Sequence, residues 1–292
     1  MHRSAGRENK QELIAMENKA FFEVDASRCV RCGRCAEDCF FGALKKCDDG
    51  LPVMAQPAKC MHCQHCFAIC PAQAIRFEGK SPEDAPALGA LPLPSGEQMA
   101  NLIRARRSIR RYAERDVDRS VLENILSTLA NAPTGCNARE LTFTCISTRR
   151  AMDDFRSRFI RVLENHRAGR KLLPRWLAVP AIQLRSGKQD VFFRGAPGML
   201  VVSADKKAPG VVTPQEDVVV ACAQFDLLAQ THGLGTCWCG FLRLAQKVVP
   251  ELLPELFGFS ADTPFYAVLF GHRDVAYSRS VIRDDAARID WH

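Results

Sequence analysis

Residues 29–39, CVRCGRCAEDC, place four cysteines within eleven positions. A second stretch, residues 60–70, CMHCQHCFAIC, repeats that spacing with every cysteine displaced by 31. Cys29, Cys32, Cys35 and Cys39 therefore align with Cys60, Cys63, Cys66 and Cys70, and Ala43 and Leu44 align with Ala74 and Ile75. Self-similarity of this kind marks an internal duplication, each half a ligand loop followed by a short helical turn. FFEVD before the first half and AIRFEG after the second read as flanking strands.

Nine of the fourteen cysteines fall between Cys29 and Cys70. Disulfide frameworks belong to short secreted chains with poor cores, and residues 1–20 carry no apolar stretch of signal-peptide type. The crowding therefore reads as metal ligation in a reducing cytoplasm. Three cysteines three residues apart wrap one face of an iron–sulfur cubane, and in the run C-x2-C-x2-C-x3-C the fourth ligates the other cluster. The expectation is one 4Fe–4S centre on Cys29, Cys32, Cys35 and Cys70, and a second on Cys60, Cys63, Cys66 and Cys39. The pattern resembles the two-cluster bacterial ferredoxin module, with one departure: Pro71 follows Cys70, but Phe40 follows Cys39. Structural zinc, with His62 or His65 among its ligands, is the alternative, although zinc sites use ligand pairs well separated in sequence. His62 and His65 otherwise read as exposed or hydrogen-bonded beside the sulfurs, and Cys47 as a bystander.

At 292 residues and 47% apolar, the chain suffices for two unequal domains. No run approaches the ~18–20 apolar residues of a membrane span. Residues 79–96, GKSPEDAPALGALPLPSG, read as a connector, which divides the chain into a ferredoxin-like domain at 1–78, a linker at 79–98 and a larger domain at 99–292. In the larger domain, DRSVLENILSTLA offers Asp118 as N-cap, with Val121, Leu122, Ile125, Leu126 and Leu129 on one face. LTFTCIS alternates as a half-buried strand, while APGMLVVSA and TPFYAVLFG read as buried strands. PQEDVVVACAQFDLLAQTH is apolar almost all round, which implies a helix buried on every side, in the core or at a subunit interface.

RRSIRRY, residues 106–112, offers cationic donors and a hydroxyl, read as lying just before a helical segment. Such a cluster can clamp a phosphate through charge-assisted hydrogen bonds. NAPTGCNAR (131–139) follows one helix, GLGTCWCGF (233–241) follows the apolar one, and FGHRDVAYSRSVIRDDAARIDW closes the chain. GLGTCWCGF follows a helix and lacks the G-x-G-x-x-G spacing, so it is no dinucleotide fingerprint. In order and spacing these four motifs resemble the FMN-dependent nitroreductase family over residues 100–291, in the branch with an N-terminal two-cluster ferredoxin domain.

The resemblance implies an α+β fold, an FMN-binding α/β sandwich built as an intertwined homodimer. It implies Arg106, Arg107 and Ser108 on the FMN phosphate and Arg110 on the pyrimidine side of the ring, where a cation stabilises the negative charge of the reduced flavin. Pro133, Thr134, Gly135 and Asn137 match positions that line the flavin across the dimer interface. Arg139 and Glu140 stand where the family often has Gln-Pro. Cys239 and Gly240 match the loop whose amide approaches N5, and Arg279, with Arg283 beside it, matches a basic residue on the phosphate. Cys136, Cys145, Cys222, Cys237 and Cys239 read as packing residues, residues 150–189 as the substrate-pocket lining, and Trp176 as a core or interface residue rather than one beside the flavin.

A 4Fe–4S centre passes single electrons, whereas flavin also delivers electron pairs. The implied activity is an oxidoreductase taking electrons from a low-potential donor, such as a ferredoxin or a reductase, through two 4Fe–4S clusters to FMN. The acceptor is a small electron-poor molecule: a nitro compound, quinone or activated alkene. No protein nucleophile or catalytic acid is nominated. A relay to a protein partner, and a dehalogenating or flavin-consuming enzyme, are the other readings. The formal charge of +7 falls to roughly +1 once two clusters and a flavin phosphate are counted. With no aromatics interleaving the arginines, nucleic acid is not expected as a partner.

Overall fold

The computed structural model describes residues 21–169, 171–283 and 287–292; the stretch 1–20 read above for a leader lies outside them. The chain divides into two compact units, the first ending at Leu93 and the second beginning at Pro94.

In the first unit, β1 (Phe22–Val24) pairs antiparallel with β4 (Ile75–Phe77), Phe22 opposite Phe77, so the first and last segments of the duplication close on each other. Between them lie α1 (Arg34–Glu37), a hairpin of β2 (Leu44–Lys46) and β3 (Pro52–Met54), and α2 (His65–Ala68). The duplication extends to the backbone. Arg31 and His62 have φ of 53° and 50°, Gly33 and Gln64 of 81° and 60°, and Gly42 and Gln73 of 64° and 51°. These left-handed residues turn the chain sharply within each cysteine loop and just after it. Phe22, Leu44, Ile75 and Phe77 pack against Cys35 and Cys66 as a small core.

The second unit is built on a four-stranded antiparallel sheet, β5 (Leu141–Ile146), β6 (Gly198–Ala204), β7 (Leu234–Trp238) and β8 (Phe265–His272), in the order β5-β6-β8-β7. β6 is buried at every residue, and its side chains alternate between two cores as strand geometry dictates. Leu200 and Val202 meet α4 (Arg119–Thr128) and α7 (Pro214–Thr231) through Leu122, Ile125, Ala221 and Phe225. Met199 and Val201 face the other way, into a core shared by α5 (Arg149–Ala168), α6 (Arg175–Arg185), α8 (Gly240–Val248) and α9 (Leu252–Phe257). Both faces of the sheet are thus covered by helices, as the α+β sandwich expectation required. A further helix, α3 (Gly96–Ala105), starts with a capping box in which Ser95 and Gln98 satisfy each other's backbone N–H.

Three sequence readings need correction. RRSIRRY does not introduce a helix: it follows α3 and runs extended across the sheet end, Ser108 bridging Thr236 and Tyr112 bridging Arg273. Residues 150–189 do not face a pocket throughout: α5 sends Met152, Phe155, Phe159 and Leu163 into the core, while α6 leaves Trp176, Val179 and Ile182 exposed. Helix α7 is not buried all round in the single chain: Glu216, Val220 and Ala223 are exposed, and its buried side includes two carboxylates, Asp217 and Asp226.

Candidate functional site

In the first unit, Cys29, Cys32, Cys35 and Cys70 line one cavity, with Gly33 and Pro52 beside them. Burial raises the Cys35 thiol, and neighbouring Cys70 and Cys32 raise it further. Burial likewise raises Cys60, with Cys63 and Cys39 adding to the shift, and pushes Cys66 up to about 12. Cys70 thus lines the cavity of the first loop, and Cys39 stands close enough to Cys60 to raise it. Thiols held this protonated release their protons when iron binds. Among the described residues, no three His, Cys, Asp or Glu converge as a single metal ion would require. His62 and His65 are exposed and meet carboxylates: Nδ1 of His62 lies 2.6 Å from Glu78 and Nδ1 of His65 lies 3.3 Å from Asp38. Cys47 is exposed in the β2–β3 turn.

In the second unit, hydrogen bonds hold the RRSIRRY segment and the residue after it at the sheet end and brace the segment internally. Ile109 N–H donates to Thr236 O at 2.7 Å, Ala113 N–H to His272 O at 2.9 Å, and the Tyr112 hydroxyl to Ile109 O at 2.8 Å. Close approach to β7 depends on Gly235, where a Cβ would fall 2.6 Å from Ile109 Cγ1 and 2.7 Å from Arg273 Cγ. The result is a cavity of about 320 Å³ lined by Arg104, Arg107, Gln230, Thr236, Arg273 and the 277–280 segment with Arg279. Arg107 donates through Nη1 to the carbonyls of Arg104 and Arg106, which anchors its fork, while its buried Nη2 has no partner among the described residues. A buried guanidinium nitrogen left unpaired among other arginines is what an anion would complete.

Arg106, expected on the phosphate, turns instead toward Asp226, its Nη1 3.7 Å from Oδ2. Asp226 is buried and accepts from Thr236 Oγ1 and, at 3.0 Å, from Trp238 Nε1. This carboxylate, which sequence reading missed, ties the first arginine of the cluster to β7. Ser108 is half-buried in its bridge to Thr236, and Arg110 is exposed, its charge reaching Tyr112 and Cys237. Arg194, also missed, adds to the positive field at Cys237 and Cys239.

Cys239 caps α8, which begins at Gly240, so the backbone there changes from strand to helix. Burial raises the Cys237 thiol and pushes Cys239 and Cys222 up to about 12 and Cys145 to about 11. These four are packing residues, not thiolates. Cys136 departs from that reading: it is exposed, with φ +52°.

Pro133, Thr134, Gly135 and Asn137 form a separate group. Gly135 N–H donates to Asp217 Oδ1 at 2.9 Å, and Thr134 Oγ1 accepts from Arg139 N–H. Asp217 lies nine residues from Asp226 on α7, ~13 Å along the helix. One chain therefore does not bring this loop to the arginine cavity. Arg279 lines that cavity, while Arg283 is exposed beyond it.

The nitroreductase family model matches residues 103–272, more than half of the chain. The chain belongs to the nitroreductase family. Residues 22–45, which carry the first cysteine repeat, match the model of a 4Fe–4S binding domain. No curated protein matches the sequence. Among solved structures, a Bacteroides fragilis nitroreductase with bound FMN aligns at 20% identity and a TM-score of 0.52, covering 66% of this chain and 99% of its own. A nitroreductase with bound FMN from Desulfitobacterium hafniense aligns at 22% identity and a TM-score of 0.48, covering 66% and 97%. With the first of these the likeness is one of fold. The nitroreductase match, together with the iron–sulfur domain, makes the chain an oxidoreductase of nitroreductase type with a ferredoxin-like domain. Among the described residues no helix is long and apolar enough to cross a membrane.

Proposed function

We propose that this family member is an iron–sulfur flavoprotein holding FMN and two 4Fe–4S clusters, which uses electrons from a low-potential donor to reduce a small electron-poor molecule in the cytoplasm. The observation that carries the flavin assignment is the orphaned Nη2 of Arg107 in a cavity lined by three further arginines. When bound, FMN supplies the exchange between single electrons and electron pairs.

Arg107 and Arg279 bind its phosphate, joined by Arg104 and Arg273, and Ser108 contributes its hydroxyl. Arg106 acts through Asp226 rather than by direct contact. Arg110 places a fixed cation at the pyrimidine side, where reduction leaves negative charge. The Cys239–Gly240 turn offers the Gly240 amide to N5 at the start of α8, the Cys239 N–H being held by Ala267 O at 2.8 Å. Cys29, Cys32, Cys35 and Cys70 hold one cluster, and Cys60, Cys63, Cys66 and Cys39 the other. Pro133, Thr134, Gly135 and Asn137 complete the flavin site of a second copy. Homodimer formation is supported by the exposed face of α7 and by Leu227 and Leu228 lining an open apolar groove of about 730 Å³ with Met99 and Leu102.

Anaerobic titration with dithionite, following flavin and iron–sulfur absorbance, tests the cofactor set: about four electrons per chain are expected. Uptake of only about two removes either both clusters or the flavin, which the two absorbance bands tell apart, and uptake of about three removes one cluster. Rapid-mixing reoxidation by nitroaromatics or quinones supports the small-molecule acceptor, and oxidation by a protein partner alone refutes it.

A further inference from the structure

The two cysteine repeats are alike in backbone and unlike in charge. Arg31 and Arg34 of the first stand where the second has His62 and His65, and Asp38 stands where the second has Ile69. Arg31 and His62 share the same left-handed φ, so each occupies the same place in its ligand loop. Because the fourth cysteine of each repeat crosses over, Asp38, adjacent to Cys39, belongs with the second centre. Its Oδ2 lies 3.3 Å from His65 Nδ1 on α2. Glu78 stands on the same side, 2.6 Å from His62 and 3.6 Å from Lys80.

Around the first centre Arg31 and Arg34 both line the cysteine cavity, and neither makes an ion pair among the described residues, although the Glu37 and Asp49 carboxylates stand nearby. Arg31 donates Nε to the main-chain carbonyl of Asp49 at 2.9 Å, while the Asp49 carboxylate turns to Leu51 N–H. Arg34 has no ion pair among the described residues. Two full positive charges therefore face the first loop at any physiological pH. At the second, by contrast, the carboxylates make direct contacts: Asp38 meets His65, and Glu78 meets His62 and Lys80.

We propose that the two centres are electrically inequivalent, with Arg31 and Arg34 favouring an added electron on the cysteines of the first centre and Asp38 and Glu78 disfavouring it on those of the second. This rests on the two-cluster reading above. An electron from a low-potential one-electron donor makes a centre one unit more negative, with no bond made or broken. Fixed cations stabilise that product over its precursor, and fixed anions do the reverse. The singly reduced unit therefore carries its electron beside Arg31.

The test is a potentiometric titration of the anaerobic full-length holoprotein followed by low-temperature EPR, after iron and sulfide have been assayed. About eight irons per chain and two resolved midpoints are expected. Arg31→Gln combined with Arg34→Gln lowers the upper midpoint alone, and Asp38→Asn raises the lower one alone. Eight irons with coincident midpoints overturn the inequivalence and leave the two-cluster reading standing. Four irons per chain sink that reading, and this proposal with it. Should the double arginine variant fail to take up iron, Asp38→Asn decides by itself: an unmoved lower midpoint, or a shift of the upper one, refutes the assignment.

Discussion

Replacing Arg107 by alanine takes from the arginine cavity the one guanidinium whose geometry is already set. Its Nη1 is committed to two main-chain carbonyls, so only the buried, unpartnered Nη2 is free to meet an anion. One charge-assisted hydrogen bond is worth ~1.5–3 kcal/mol, which corresponds to a loss of about 10- to 150-fold in FMN affinity. The assay is fluorescence titration of deflavinated protein with FMN and, in parallel, with riboflavin, which has the ring but no phosphate. Arg107→Ala is expected to weaken FMN by that factor while changing riboflavin binding less than about twofold, so the preference for FMN collapses. Equal loss for both ligands would mean that the side chain only supports the fold. An FMN affinity unchanged within twofold would refute the phosphate assignment outright.

Other consequences follow from neighbouring contacts. Gly235→Ala forces a Cβ into Ile109 and Arg273; urea unfolding should show a loss of ~1–3 kcal/mol, with weaker FMN retention because the cavity wall shifts. Asp226→Ala strands the Trp238 indole N–H and the Thr236 hydroxyl and frees Arg106; a loss of ~3 kcal/mol in denaturant unfolding is expected. Iodoacetamide at pH 8 with peptide mapping should label exposed Cys136 and spare Cys145, Cys222 and Cys239, whose burial pushes their thiols to about 11–12. The Glu251 carboxylate is held down to about 2, chiefly by Lys171 and also by His166. A depressed folded-state value means its contribution is full above the ordinary range near 4.5 and fades as pH falls toward 2. Solvent screening keeps it under ~1 kcal/mol, so wild type and Glu251→Gln should differ slightly at pH 7 and converge at pH 2.

The elements that the sequence revealed are those whose signal is local and repeated. Leu122, Ile125 and Leu129 return at helical spacing and do pack on one side, with α4 starting after Asp118, although that side chain makes no cap bond. β2 and β3 escaped notice because three-residue strands are too short to display a period. α3 was announced by Ser95 and Gln98, a capping box hidden at the edge of a Pro- and Gly-rich stretch. Reading α7 as apolar throughout missed what its two acids do, since a carboxylate looks solvent-facing until its donors are known. Asp226 finds them on β7, ten and twelve residues further along.

By itself the sequence determined the ligand loops. A cubane takes three thiolates from neighbours three residues apart, so spacing along the chain is nearly spacing in space, and the offset of 31 carries the same loop twice. Only the tertiary structure decided which arginine is free. Arg106 and Arg107 are adjacent and chemically identical, yet one is neutralised by Asp226 from a distant helix while the other keeps a buried donor open. Composition fixes how much charge a segment carries; where a counter-charge meets it depends on contacts between residues more than a hundred positions apart.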